Sequence, residues 1–242
     1  MTREEQLLAA MVEAVDRLVD DFDLIDFLHQ LCDRCNELLD VSAVGVMLAD
    51  PNGQLQLIAA SDEHARLLEL FALQADEGPC VACYRDAVAR LNITLGSPAH
   101  TAEYPRFAER ARQAGFATTH ALPMRVRQQA VGALNLFDTR EQHLSADDAK
   151  VAQALADVAT IAVLQHRTII HPTIDPAQLR SALASRIVIE QAKGVMAEHW
   201  NTGLDEAFDG LRRHAGERGL TLTTLCRQII DGTLNASSME RD

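Results

Sequence analysis

No run of about 18 apolar residues occurs in the 242-residue chain, so no membrane-spanning helix is expected. The N-terminus, MTREEQLLAAMVEAVDRLVDDF, lacks the basic start and apolar stretch of a secretory signal. A cytoplasmic location is the expectation. An excess of positive charge is missing as well. The net charge of −13 argues against a general binder of phosphate backbones. What is present suits a soluble globular protein, with 48% hydrophobic and 24% charged residues. The length fits one large or two modest domains. The acidity is uneven: residues 1–174 carry 14 basic and 25 acidic side chains, residues 175–242 carry 8 and 10. A contact to nucleic acid is therefore expected to be small, shaped and confined to the C-terminal part.

Four of the five cysteines stand as C-x-x-C pairs, Cys32 with Cys35 and Cys80 with Cys83, and Cys226 stands alone. Disulfides are not expected in a cytosolic chain. Four thiolates are chemically able to hold zinc or an iron–sulfur cluster. Cys32 and Cys35, however, lie within a helical pattern and lack a Gly-rich knuckle. Buried structural thiols are the simpler reading, and no metal site is expected.

Apolar spacing of three and four predicts helices over residues 4–20 and 24–39. Residues 42–49 and 54–60 then read as strands, joined by Asp50-Pro51-Asn52-Gly53, a hairpin turn in which Asn-Gly tolerates positive φ. Residues 63–74 are helical, and Pro79 opens a short helix. A strand over 91–95, a loop over 96–100 and a helix over 104–114 follow. A second hairpin pairs 117–126 with 130–138 across Arg127-Gln128-Gln129. Ser145, Asp147 and Asp148 cap a helix running to Ile170. This order predicts an α+β domain, an antiparallel sheet with helices on its faces. Two prolines in residues 171–176 mark a linker, and only helical periodicity follows. The expected domains are an N-terminal helix at 1–21, an α+β domain at 22–170, an all-α three-helix bundle at 177–235 and a disordered tail at 236–242.

The segment VSAVGVMLADPNGQLQLIAAS, the Glu77-Gly78-Pro79-Cys80 turn, EYPRFAERARQAGF and LPMRVRQQAVGALNLFD together resemble a GAF domain over roughly residues 22–167. The resemblance implies a small-molecule sensor whose ligand lies between the sheet and the helices above it. Cys80, Cys83, Tyr84, His100, Tyr104 and Phe107 are the pocket candidates, a mixture of apolar bulk and polar anchors. Plain packing explains the same residues. The cofactor stays unknown, because no N-K-x-x-x-F-x-x-x-D-E run for a cyclic nucleotide and no Cys-His pair for bilin attachment occurs.

In the C-terminal part, Leu179, Leu183 and Ile187 form one stripe on the first helix, and Val188, Ala192 and Val195 a second. Two stripes suggest two partners, the bundle itself and a second chain. Residues 204–218 and 222–230 form the other helices, Gly219 ending the first in the left-handed conformation and Thr221 capping the next. SRIVIEQAKGVMAEH, DEAFDGLRRHA and the L-x-x-L-C-x-x-I-I pattern of 222–230 resemble an ANTAR domain. The resemblance implies an RNA-binding module that holds hairpins of a nascent transcript and promotes transcription antitermination. Gly219, Thr224 and the Leu225-Cys226 pair depart from its usual residues.

Arg186, Lys193, Arg212 and Arg213 are the candidates for phosphate contact, and Gln191 and Thr223 for base edges. Arg186 with Glu190, and Lys193 with Glu190, also suit a solvated ion-paired face. Gly194 costs roughly 1 kcal/mol relative to Ala inside a helix, so a close approach of another helix or of RNA is expected there. Trp200 is read as a core anchor. A homodimer through residues 146–170 and the first C-terminal helix is expected, with no DNA specificity. Catalysis is not expected: Cys80 and His100 have no third orienting group. A protein-binding scaffold and a thiol redox sensor are the rival readings.

Overall fold

The computed structural model describes residues 23–170, 177–234 and Met239, with side chains described over 23–165, 185–234 and at Met239. The segments read as an N-terminal helix and as a linker lie outside the described residues.

Helix α1 (Leu24–Leu39) begins where its spacing predicts. Asp23 caps it, one carboxylate oxygen accepting from the backbone N–H of Ile25 at 3.0 Å and of Asp26 at 3.3 Å. Strands β1 (Ala43–Ala49) and β2 (Leu55–Ala60) flank the expected turn. Asp50 Oδ1 accepts from Asn52 and Gln54, and Gly53 has φ +77°, so the tight turn is built by local side-chain bonding. Helices α2 (Glu63–Ala75) and α3 (Pro79–Asp86) lead to β3 (Arg90–Thr94). The expected loop at 96–100 is instead the start of α4 (Pro98–Glu103), since Pro98 sets a helical φ at the first position. Helix α5 (Pro105–Gln113) precedes β4 (Thr118–Val126) and β5 (Gln129–Asp138). Their turn is tighter than expected: Val126 pairs with Gln129, and Arg127 takes the left-handed conformation that a two-residue turn requires.

The five strands are antiparallel, in the order β2-β1-β5-β4-β3. Alternation along β1 divides the core. Val44, Val46 and Leu48 face one layer, packed by Leu28, Leu31 and Cys35 of α1 and Leu155 and Ala159 of α6 (Ala146–Ile170). Ala43 and Met47 face the other layer, with Leu68 of α2, Cys80 of α3 and Phe107 of α5. Each Leu or Ile so buried contributes about 1.5–3 kcal/mol. Ser145 and Asp148 cap α6 reciprocally, Asp148 N–H donating to Ser145 Oγ at 3.1 Å and Ser145 Oγ to Asp148 Oδ2 at 2.7 Å.

The three C-terminal helices are α7 (Ala177–Trp200), α8 (Leu204–Glu217) and α9 (Leu222–Ile230). On α7 the buried stripe is Ile189, Ala192, Met196 and Trp200. Of the two expected stripes, Val188 and Ala192 pack into the bundle, while Ile187 and Val195 are 59% and 45% exposed. The side chains of Leu179 and Leu183 lie outside the described residues. Ala207, Phe208, Leu211 and Ala215 of α8 meet Leu222, Leu225, Cys226 and Ile229 of α9. Gly219 has φ +61° and ends α8 as expected. Within the expected tail, Met239 is buried and its carbonyl accepts the Trp200 indole N–H at 3.0 Å. An indole that gives up water needs such an acceptor. The remaining residues of 236–242 lie outside the described residues.

Among the described residues, no helix is long and apolar enough to cross a membrane.

Candidate functional site

The residues singled out for RNA contact in the C-terminal helices divide into two sets. Gln191 and Gly194 on α7 and Arg213 on α8 are exposed. A Cβ built on Gly194 meets nothing within 4 Å, so among the described residues no other helix makes the close approach expected there. Arg186 and Arg212 turn the other way, toward β2 and α1, Lys193 is buried, and Thr223 meets the start of α1 through its backbone N–H. Lys193 is buried, paired with Glu190 Oε1 at 3.2 Å, with its ammonium 5.2 Å from the centre of the Phe208 ring. The Arg212 guanidinium lies 5.8 Å from the same ring. Lysine and arginine from two helices thus share one aromatic side chain, an arrangement favourable when partly desolvated.

The partners of this cluster come from the first domain. Arg212 pairs with Asp26 at 3.1 Å and Asp33 at 2.9 Å. Arg186 donates to the carbonyl of Leu57 in β2. The backbone N–H of Thr223, in the first turn of α9, donates to Asp23 Oδ2 at 2.8 Å. The ring of His29 stands 4.5 Å from that of Phe208. Burial, followed by the charges of Lys193, Arg212 and Arg186, holds the His29 pKa well below its ordinary value. Burial also lowers the Arg186 pKa and raises that of Asp33. A cleft opens along this junction, lined by His29, Glu63, Arg66, Arg186, Lys193 and Asp205 among others.

The carboxylates that meet the cluster had not been singled out in the sequence. Their signal was present: Asp23, Asp26 and Asp33 recur at i, i+3 and i+10, and so lie on one face of α1.

The pocket candidates are only partly brought together. Cys80, Tyr104 and Phe107 share the second core layer. Tyr84 leaves it and donates to the Gly53 carbonyl at 3.2 Å. His100 Nδ1 accepts the Thr94 N–H at 3.0 Å. Glu77 receives the Arg106 and Phe107 N–H groups at 2.7 and 2.9 Å, fixing the start of α5 from a distant loop. The polar centre of this layer is Glu69, also missed in the sequence. It is fully buried and accepts from Asn135 Nδ2 at 2.6 Å. Burial pushes its pKa up to about 8, against the hydrogen bonds from Asn135 and Cys80.

All five cysteines are buried. Burial raises Cys35, Cys83 and Cys226 to about 12, and Cys32 and Cys80 also rise. Cys32 and Cys35 sit beneath one face of the sheet and Cys80 beneath the other, so the two pairs cannot share a metal ion. No group of three or more potential metal ligands occurs among the described residues.

The α+β part resembles GAF domains of known structure. One from an Acinetobacter phosphoenolpyruvate-protein phosphotransferase is 15% identical with a TM-score of 0.51, covering 72% of this chain and 100% of that one. One from a Coxiella burnetii phosphoenolpyruvate-protein phosphotransferase is 15% identical with a TM-score of 0.52, covering 68% and 96%. The phycoerythrobilin-bound GAF domain of a cyanobacterial phytochrome is 20% identical with a TM-score of 0.53, covering 71% and 99%. These likenesses show the fold. No curated protein matches the chain. Family models match a GAF domain over residues 21–164 and an ANTAR domain over residues 177–230. GAF domains are sensor modules, ANTAR domains bind RNA, and both are regulatory. The chain belongs to the GAF domain family and joins its GAF domain to a C-terminal ANTAR domain, the arrangement of RNA-binding antitermination regulators.

Proposed function

We infer that this protein is a non-catalytic, signal-responsive regulator that binds hairpins in nascent RNA and thereby promotes transcription antitermination in the cytoplasm. The observation that carries the reading is the Lys193–Phe208–Arg212 cluster on α7 and α8. Two cations beside one aromatic ring suit an RNA loop once this buried face is uncovered, since phosphates need charge and unstacked bases a flat partner. Arg186 and Arg213 extend the charge, while Gln191 and Thr223 offer hydrogen bonds to base edges. Gly194, exposed and with no described residue within 4 Å of its Cβ position, leaves room for a backbone to come close. Holding two hairpins disfavours a competing terminator, so polymerase continues.

The small-molecule signal enters the GAF domain through the layer that holds Cys80, Tyr104 and Phe107, with Cys83, Tyr84 and His100 at its margins. The working form is a homodimer. Ile161 on α6, 52% exposed, and Ile187 and Val195 on α7 supply apolar surface for a second copy.

A mobility shift with a two-hairpin RNA tests the reading. Salt-sensitive, loop-dependent binding that disappears when Arg186, Lys193 and Arg212 are jointly neutralised is the expected result. Binding that survives this change in a folded variant removes these residues from the interface. Absence of RNA binding by every form of the full chain favours a bundle that docks a protein.

A further inference from the structure

We propose that α1 is a built-in competitor of RNA: its row of carboxylates occupies the cationic face of the ANTAR bundle, and RNA binds when that row lets go. The proposal rests on the RNA-binding reading above and adds what controls it.

The face of α1 turned to the bundle carries Asp23, Asp26 and Asp33. Asp26 and Asp33 hold the two sides of one guanidinium, Arg212. Asp23 receives the Thr223 N–H at the start of α9, where a helix N-terminus would otherwise favour an anionic phosphate. A carboxylate and a phosphate ask the same of an arginine fork and of a helix end. The contact is therefore chemical mimicry as well as coverage. Arg186 is engaged by the Leu57 carbonyl and Lys193 lies buried behind Phe208. Four of the seven residues assigned to RNA are thus engaged by the first domain or buried, while Gln191, Gly194 and Arg213 stay exposed. An RNA can first touch the exposed three and complete its site only by displacing α1.

The fastening suits a switch. Arg212 is 23% exposed and Asp33 50% exposed, so water and salt reach the pair and its strength is modest. A small differential affinity of a signal for the two arrangements then shifts the balance. The acids also give specificity against weak polyanions, which must outcompete two carboxylates for one guanidinium.

The test uses the full chain and its D26N/D33N variant, in which both side chains keep their size and lose their charge. Affinity is measured by fluorescence anisotropy with a labelled RNA of two short stems with randomised loops. Hydrogen exchange over residues 222–226 is followed without RNA. The variant is expected to bind at least tenfold tighter and to exchange faster at Thr223. Tighter binding with unchanged exchange also supports competition, released locally at Arg212. Equal or weaker binding by the variant, when the wild type binds, overturns the proposal. Faster exchange with no RNA bound by either protein sinks the RNA reading, and the competition with it, while leaving the contact itself demonstrated; unchanged exchange with no binding overturns both.

Discussion

Gly210 on α8 faces the Trp200 indole at the end of α7 so closely that a Cβ there would lie 2.6 Å from the ring. The ring is pinned by its hydrogen bond to Met239 and cannot swing away at no cost. Gly210→Ala gains roughly 1 kcal/mol in helix propensity but overpacks a rigid neighbour. Overpacking of about 1–3 kcal/mol outweighs that gain, and the variant is expected to lose up to about 2 kcal/mol net, read as a lower midpoint in urea unfolding. A midpoint equal to or above that of the wild type contradicts the packing described.

Gly194 is the opposite case. With nothing near its Cβ position, Gly194→Ala is expected to stabilise the chain by about 0.5–1 kcal/mol. The same methyl group is expected to weaken hairpin binding if RNA comes close at this point of α7. Unfolding and anisotropy on one sample separate the two effects, and unaltered RNA affinity places Gly194 outside the contact.

Glu69 predicts a pH dependence. Its folded pKa of about 8 lies above the roughly 4.3 of an unfolded glutamate. The folded state therefore holds the proton more tightly, and unfolding releases it. The stability from this group is fully present below pH ~4.3 and is lost as pH rises toward 8, by up to about 1.4 kcal/mol per pH unit. Glu69→Gln keeps an acceptor for Asn135 and removes the titration. Its melting temperature is expected to fall less than that of the wild type between pH 5 and 8, and parallel curves for the two proteins would count against the assignment.

His29 works in the other direction. Its folded pKa is lowered, so its contribution is present above the unfolded value of about 6.5 and fades as pH falls below it. The groups around it are Lys193 and Arg186 on α7, Arg212 on α8, and the acids Glu63, Glu190 and Asp205 along the cleft. Acidification from pH 7 to 5 is expected to speed hydrogen exchange in α9 of the wild type, and His29→Gln to flatten that response. An identical response in both proteins would assign the effect to other groups.

Local pattern carried most of the fold. Period 3.6 placed the long helices by their core faces, while the strands were marked by the turns between them and by their apolar runs, β1 being buried on both faces. Helix α4 escaped, since six residues starting at Ser97-Pro98 bury nothing and leave no apolar stripe. On α7, Ile189 and Met196, outside both stripes read in the sequence, join Val188 and Ala192 in the bundle, while Ile187 and Val195 stay outside it. Neighbouring apolar residues on a helix cannot be ranked without knowing the angle at which the partner crosses. The site was less legible. Lys193 and Arg212 stand on separate helices, and nothing in their spacing shows that one phenylalanine ring lies between them. Glu69 sits in LLELF, where a solvent-facing acid is the ordinary reading, and its burial is made tolerable by Asn135, 66 residues away, and by Cys80.

Asp23 does two jobs with two oxygens: one caps α1, the other grips the first turn of α9. Fraying at the entrance of the sensor and loosening of the output helix are therefore one event. Heat should melt the two halves as a single cooperative unit, and whatever unwinds that first turn is felt at α9 through the second oxygen of the same carboxylate.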